Sequence, residues 1–347
     1  MSLSDLSLAT TSDGGLDRPN QPLQVRLPSV PPAWAGALGI ALLRDSERLA
    51  HRGRTRVGEW DVDPMAVLNA WAANLRHTPN RVGALIEGLR VRVHRPWSTY
   101  RLKPARPASG VVAGYSTDGR TVRSVQVADL TAKLLSTAHP MREFSRRLTQ
   151  EHKPVAVWTH TTGSLVGAES HLERDFITLA DFHPAVRYIG GQPFTLAFER
   201  GAPCKLHTPD LVLLGDGLPP LVVDVKNPEQ AAKRKWQARA ALIRDVLAEA
   251  GMGYEVWTGM PRLMQANLEN FTEARVPGPS YCRWAPIAAE LCSRPMPVVE
   301  LVARIAARGY EPGFAMMLIR RMLWRRDLRT DMRLPFRPTS IVWTVNP

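Results

Sequence analysis

Apolar residues recur at helical spacing over residues 64–76, where Met65, Leu68, Trp71, Ala72 and Leu75 share a face behind an Asp63 cap and a first-turn proline. Residues 81–92 form a second helical piece. From residue 111 the pattern shortens to strand-length runs. Residues 111–115 and 121–127 flank an Asp118-Gly119 turn. Residues 127–136 and 141–149 predict helices, 155–158 a strand, and Thr161-Thr162-Gly163 a turn. Residues 168–182 predict a helix with Leu172, Phe176, Leu179 and Ala180 on one face. Strand signals follow at 186–189, 193–198 and 209–214, and the turn Gly215-Asp216-Gly217 leads into 221–226, a run apolar enough to be buried on both faces. Residues 229–250 predict a long helix stopped by Gly251, and 254–257 a further strand. Helix, strands, helix and strand in this order predict an α/β unit with a mixed sheet.

Val276-Pro277-Gly278-Pro279 reads as a linker. Beyond it, residues 296–308 and 313–326 are amphipathic helices joined by Gly309-Tyr310-Glu311-Pro312, and β-prone segments follow at 328–336 and 340–345. Two helices at turn spacing with a β tail predict a winged helix-turn-helix. At the other end, residues 1–35 are rich in Ser, Thr, Gly, Pro and Asp and predict a flexible arm. The expected organisation is this arm, a helical region of unassigned role over 36–110, an α/β domain over 111–275 and a winged-helix-like domain over 283–347. A Pro-rich basic boundary falls at 101–110.

Charge sharpens this picture. The 347 residues carry 45 Lys+Arg against 32 Asp+Glu, a formal net charge of +13, which suits an anionic partner, nucleic acid first. Only seven of the basic residues are Lys, so a Lys inside a chemical motif stands out. From residue 301 onward there are nine Arg and three acids. The three cysteines, Cys204, Cys282 and Cys292, show no CxxC spacing, which argues against a disulfide framework or a structural zinc site. Cys204 and His207 form a lone CxxH pair and read as loop residues. The first residues lack a basic n-region followed by an apolar stretch, and the longest mainly apolar run near them, residues 30–43, falls short of the about 20 residues that span a bilayer. The expectation is a cytoplasmic protein with no membrane partner. Neither GxxxxGK[ST] nor GxGxxG before a helix occurs, so no nucleotide cofactor is expected.

The candidate chemistry lies in residues 209–226. Asp224 and Lys226 are two apart on an otherwise apolar strand and therefore share a face. Two ionisable groups in such a run need a reason; the plain one is that they pair with each other at a strand end. Asp210 begins the preceding strand, and the intervening turn folds it back toward Asp224. Glu173 lies on the upstream helix. Carboxylates crowded together raise one another's pKa unless a cation sits among them, and hard oxygen ligands suit Mg²⁺. Beside a Lys, such an ion activates water against a phosphodiester.

Pro209-Asp210, then Asp224-x-Lys226, after a helix bearing Glu173, resembles the PD-(D/E)xK nuclease superfamily. Within it, the chain is most similar to the TnsA family, the endonuclease subunits of heteromeric cut-and-paste transposases. The likeness runs over residues 139–275, through His139-Pro140-Met141-Arg142, Glu169-Ser170-His171-Leu172-Glu173, Asp181-Phe182-His183-Pro184, Gln192-Pro193 and Gly253-Tyr254-Glu255-Val256-Trp257. The resemblance implies that Glu173, Asp210 and Asp224 are metal ligands, that Lys226 contacts the scissile phosphate or the attacking water, and that Gln192 supports the site. It implies Mg²⁺, with Mn²⁺ able to substitute, and two partners beside DNA: a DDE-type recombinase and an AAA+ ATPase regulator. It also implies a C-terminal winged helix. Glu169, one helical turn before Glu173, reads as a capping or solvent-facing acid. Lys233, Lys235 and Arg239, and the Arg320, Arg321, Arg325 and Arg326 cluster, are candidate phosphate contacts, against the plain alternative of solvated helix faces. Trp236 reads as a helix-packing residue. The expected activity is hydrolysis at the transposon ends of the strand that the recombinase does not join. A stand-alone restriction or repair nuclease of the same superfamily, and a non-catalytic DNA-binding assembly factor, are the alternatives.

Overall fold

The computed structural model describes residues 65–73, 102–142 and 155–344. The expected arm over 1–35 and the helices at 81–92 and 141–149 lie wholly or almost wholly outside these residues. The described residues divide into two units, one up to Glu269 and one from Asn270 onward. Both mix helices with sheets that are largely antiparallel. Among the described residues no helix is long and apolar enough to cross a membrane.

The first unit begins with α1 (Ala66–Ala73). Met65, Leu68 and Trp71 are buried, as their spacing predicts, and Trp71 Nε1 donates to the Pro219 carbonyl at 2.6 Å. Residues 102–110, read as a boundary, are tied into the same unit: Leu102 is buried, and Arg106 Nε donates to the Phe198 carbonyl at 2.8 Å. Next come β1 (Val111–Tyr115), β2 (Arg123–Gln126) and α2 (Ala132–Thr137), which Thr131 caps by accepting from Leu134 N. The hairpin β3 (Val155–Thr159) and β4 (Ser164–Ala168) turns through Gly163 at φ 61. Its turn amides at His160 and Thr161 donate to Asp181 at 2.9 and 2.7 Å, which accounts for that buried carboxylate.

Helix α3 (His171–Phe182) starts three residues later than the pattern predicts, because Ser170 caps it and Ala168 belongs to β4. Of the predicted face, Phe176, Leu179 and Ala180 are buried as expected. Glu173, Phe176, Ile177 and Ala180 are buried at i, i+3, i+4 and i+7, whereas Leu172 is only half-buried. The first turn of the apolar face is thus a glutamate. Phe176 meets Trp257 with ring centroids 5.2 Å apart.

Strands β5 (Tyr188–Gly191), β6 (Thr195–Phe198), β7 (Leu206–His207), β8 (Leu211–Leu214) and β9 (Leu221–Val225) follow. The expected helix over 229–250 is two helices, α4 (Pro228–Ala231) and α5 (Arg234–Glu249), with Lys233 extended between them. No glycine or proline marks that break. Strand β10 (Gly253–Trp257) pairs in parallel with β9, while β9–β8 and β8–β5 are antiparallel, giving the mixed sheet β10-β9-β8-β5. A second, antiparallel sheet has the order β2-β1-β6-β7. The chain crosses from one sheet to the other at Gln192, which is buried and held at φ 47. The core between them gathers Ala113, Leu135, Phe194, Phe198, Val212, Val222 and Tyr254 with Ala240, Ile243 and Leu247 of α5.

Helix α6 (Arg262–Thr272) carries the chain into the second unit. There α7 (Gly278–Leu291) begins inside the segment read as a linker: Gly278 and Pro279 form its first turn, where a proline needs no hydrogen-bond donor. After it come β11 (Met296–Pro297), α8 (Val298–Ala306), α9 (Pro312–Arg325), β12 (Leu328–Thr330) and β13 (Ile341–Thr344), with sheet order β11-β13-β12. Glu311 caps α9 by accepting from Phe314 N at 2.8 Å, and Arg326 ends it in the left-handed region at φ 66.

Phe176 anchors α3 with none of its surface exposed. Phe176→Ala should cost about 3–5 kcal/mol of unfolding free energy, read from urea denaturation of the full chain.

Candidate active site

The antiparallel register of β8 and β9 pairs Leu211 with Val223. Continued one residue outward, it sets Asp210 opposite Asp224. Lys226 follows Asp224 on the same face, just past the end of β9. Lys226 Nζ donates to Asp210 Oδ2 at 2.7 Å and to the Val225 carbonyl at 2.9 Å; Val225 N donates to the same Asp210 oxygen at 2.8 Å. Asp210 and Asp224 are almost fully buried. The expected Asp–Lys pair exists, but it joins Lys226 to Asp210 across the strands rather than to Asp224 on its own strand.

Glu173 reaches the cluster from the first turn of α3. Its carboxylate accepts from Glu169 N at 2.8 Å and from Ser170 Oγ at 3.0 Å, while Ser170 Oγ accepts from Glu173 N at 3.1 Å. This is a helix-start pair of the S-x-x-E kind. The carboxylate therefore closes the helix and contributes to the cluster at once. Glu169 is not one helical turn before Glu173; it precedes the cap. Ser170, not Glu169, is the cap, and the Glu169 side chain pairs with Arg142 at 3.3 Å.

The electrostatics follow from burial. Desolvation and the nearby charge of Asp210 push Glu173 up to about 7. Burial also raises Asp210, with Asp224 adding to the rise and Lys226 only partly offsetting it. For Lys226, burial opposes the charge, but Asp210 and Asp224 outweigh it and hold the ammonium above its ordinary range. The pair thus keeps Lys226 charged without fully compensating Asp210, which faces other carboxylates as well. Burial works against ionisation of Asp224 too, yet His207, Lys226 and Tyr254 overcome it and hold this carboxyl below the usual range.

Four residues beyond the expected set complete the site. His207, read as a loop residue, lies in β7 and is buried; its Nε2 stands 2.9 Å from Asp224 Oδ2. Tyr254 donates to Asp224 Oδ2 at 2.5 Å. Arg142 donates to the Thr208 carbonyl at 3.1 Å and lies 3.8 Å from Asp210 Oδ1. Trp236 lies beneath the Lys226 ammonium, 5.1 Å from ring centroid to Nζ, so it packs on the site. Sequence spacing carries no sign of these contacts. Parallel pairing sets Tyr254 opposite Val222, one diagonal step from Asp224.

Gln192 joins the site through its backbone: its N–H donates to the Asp210 carbonyl at 2.9 Å. Its buried side-chain amide has no hydrogen-bond partner among the described residues. Lys233 and Lys235 are exposed near the start of α5. Arg239 is engaged inside, donating to the Leu206 carbonyl at 2.9 Å and to His207 at 3.1 Å. In the second unit Arg321 and Arg325 line a pocket of about 600 Å³ with Val276, Tyr281, Ala285 and Asp327. Arg325 sits 4.8 Å over the Tyr281 ring. Arg320 and Arg326 are half-buried. Of the Arg excess from residue 301, Arg329 and Arg333 are buried, and Arg333 is paired with Asp331 at 2.8 Å.

Among the described residues no three His, Cys, Asp or Glu side chains stand close enough together to enclose a metal ion as they are placed. The donor set nevertheless suits one. All three acids offer hard oxygens, and Asp224 Oδ1 is buried without a hydrogen-bond partner among the described residues. Neither a protein-family model nor a curated protein matches this chain.

The raised pKa of Glu173 has a measurable sign. Its folded value of about 7 exceeds the ordinary 4.5, so the protonated form is bound more tightly in the folded state. The stability it supports is complete below about pH 4.5 and is lost as pH rises through about 7. In metal-free buffer, wild type should lose stability relative to Glu173→Gln between pH 5 and pH 8, read from urea midpoints.

Proposed function

We propose that this chain is a divalent-metal-dependent DNA endonuclease of the PD-(D/E)xK class, serving as a TnsA-like subunit of a heteromeric cut-and-paste transposase. The observation that carries the reading is the convergence of Glu173, Asp210, Asp224 and Lys226, from one helix and two antiparallel strands, on one buried site. The element order supports it: helix α3, the antiparallel strands β5, β8 and β9 of one sheet with β6 and β7 of the other inserted after β5, then helices α4 and α5 and the parallel strand β10. In the second unit, the order helix, strand, two helices and two strands, with sheet order β11-β13-β12, supports a winged helix.

Asp210 and Asp224 would hold the cation, with Glu173 beside them. Bound there, Mg²⁺ or Mn²⁺ supplies Lewis-acid activation of water and neutralisation of phosphate charge. Lys226, kept charged by Asp210, presents an ammonium to a phosphate oxygen. Glu173 titrates near neutrality and is suited to take a proton at its carboxylate. Gln192 fixes the Asp210 backbone at the corner between sheets. The net charge of +13 favours DNA, and Lys233 and Lys235 offer exposed phosphate contacts near the site. The proposed partners are a DDE-type recombinase and an AAA+ ATPase regulator.

The test is nicking of supercoiled plasmid in Mg²⁺ or Mn²⁺ by the full chain, alone and with the candidate recombinase. Wild type should nick weakly alone and strongly with the recombinase. Asp224→Asn and Lys226→Ala should lose at least about 100-fold in rate. Cleavage that survives both substitutions, or its absence in every combination, overturns the reading.

A further inference from the structure

The two oxygens of Asp224 sit in unlike surroundings. Oδ2 receives the Tyr254 hydroxyl at 2.5 Å and lies 2.9 Å from His207 Nε2. Oδ1 is buried and has no hydrogen-bond partner among the described residues. An isolated buried carboxylate oxygen is costly, and sharing two donors between two oxygens would relieve that cost. Here the Tyr254 hydroxyl and His207 Nε2 both lie at Oδ2, the hydroxyl as a hydrogen-bond donor and Nε2 in close contact without hydrogen-bond alignment.

The state of His207 follows from its other neighbour. Arg239 Nη2 lies 3.1 Å from His207 Nδ1 and also donates to the Leu206 carbonyl. A guanidinium has donors and no acceptor. Nδ1 must therefore accept, which leaves the ring proton on Nε2, the nitrogen nearer Asp224. The run Arg239 to His207 to Asp224 has a fixed direction. Trp236 packs beside it, 6.3 Å from the His207 ring and 5.8 Å from the Arg239 guanidinium.

We propose that the Tyr254 hydroxyl, by its hydrogen bond, and the His207 ring, by its close contact, together clamp Asp224 Oδ2, fix the rotation of the carboxylate and present Oδ1 alone to a divalent cation, with Arg239 setting the tautomer of His207. The clamp rests on the nuclease reading above. His207 and Tyr254 are positioning residues: they touch Asp224, not the reacting phosphate. Without them the carboxylate is free to turn toward Lys226, whose charge it already feels.

The experiment measures binding of Mn²⁺ alone to the full chain, from the free-ion electron paramagnetic resonance signal, with urea midpoints as a check on folding. Tyr254→Phe and His207→Leu should weaken Mn²⁺ binding about 10–100-fold, as loss of a partner behind a metal ligand does. His207→Gln should recover part of the loss, because its amide nitrogen lies the same number of bonds from Cβ as Nε2. Asp224→Asn should abolish the binding that depends on this carboxylate. If wild type binds Mn²⁺ and Asp224→Asn does not, but Tyr254→Phe and His207→Leu bind as wild type does, the clamp is overturned while the nuclease reading stands. If wild type binds no Mn²⁺, the metal site fails and the clamp with it. Should His207→Leu not fold, Tyr254→Phe, which keeps the ring, decides alone.

Discussion

The site depends on one constraint: the antiparallel pairing of β8 with β9 places two aspartates opposite each other in a dry sheet. Two like charges there cannot both be ionised without compensation. The surroundings are arranged accordingly. Lys226 bonds to Asp210, while Tyr254 and His207 face Asp224. Arg142 stands near the other oxygen of Asp210. Burial and the nearby charge of Asp210 push Glu173 up toward neutrality.

That constraint reaches outward through the backbone. The Asp210 carbonyl accepts from Gln192, the corner at which the chain leaves one sheet for the other. Met141 N donates to the Gln192 carbonyl in turn, so Arg142, the next residue, is delivered to the site from a segment far away in sequence. Helix α3 brings Glu173 in on its apolar face, and Phe176 against Trp257 holds it there. The glutamate on the first turn of this buried face also closes the helix start with Ser170.

Much of this was legible beforehand. Most strand positions from 111 to 257 follow from short apolar runs between turn residues, and Asp210 facing Asp224 follows from a short turn between two such runs; β4 and β7 do not, and β7 carries the His207 that reads as a loop residue. The helix boundaries were less legible. Ser170 as a cap moved the start of α3, and Glu173 displaced Leu172 from its buried face. The break between α4 and α5 has no glycine or proline, so periodicity could not reveal it. Residues 278–279 looked like a linker because proline and glycine mark helix starts as well as turns.

By itself the sequence determined the alternation of strands and helices, the surplus of arginine, and the acids and single lysine whose order and spacing carry the resemblance to a nuclease family. These are local or compositional properties, and local spacing is enough to read them. Only the tertiary structure decided which partner meets which carboxylate: Lys226 bonds to Asp210, while Tyr254 and His207 meet Asp224, with Arg239 behind His207. Those contacts join residues from separate strands and a distant helix. They arise from sheet register and helix packing, which no spacing along the chain encodes.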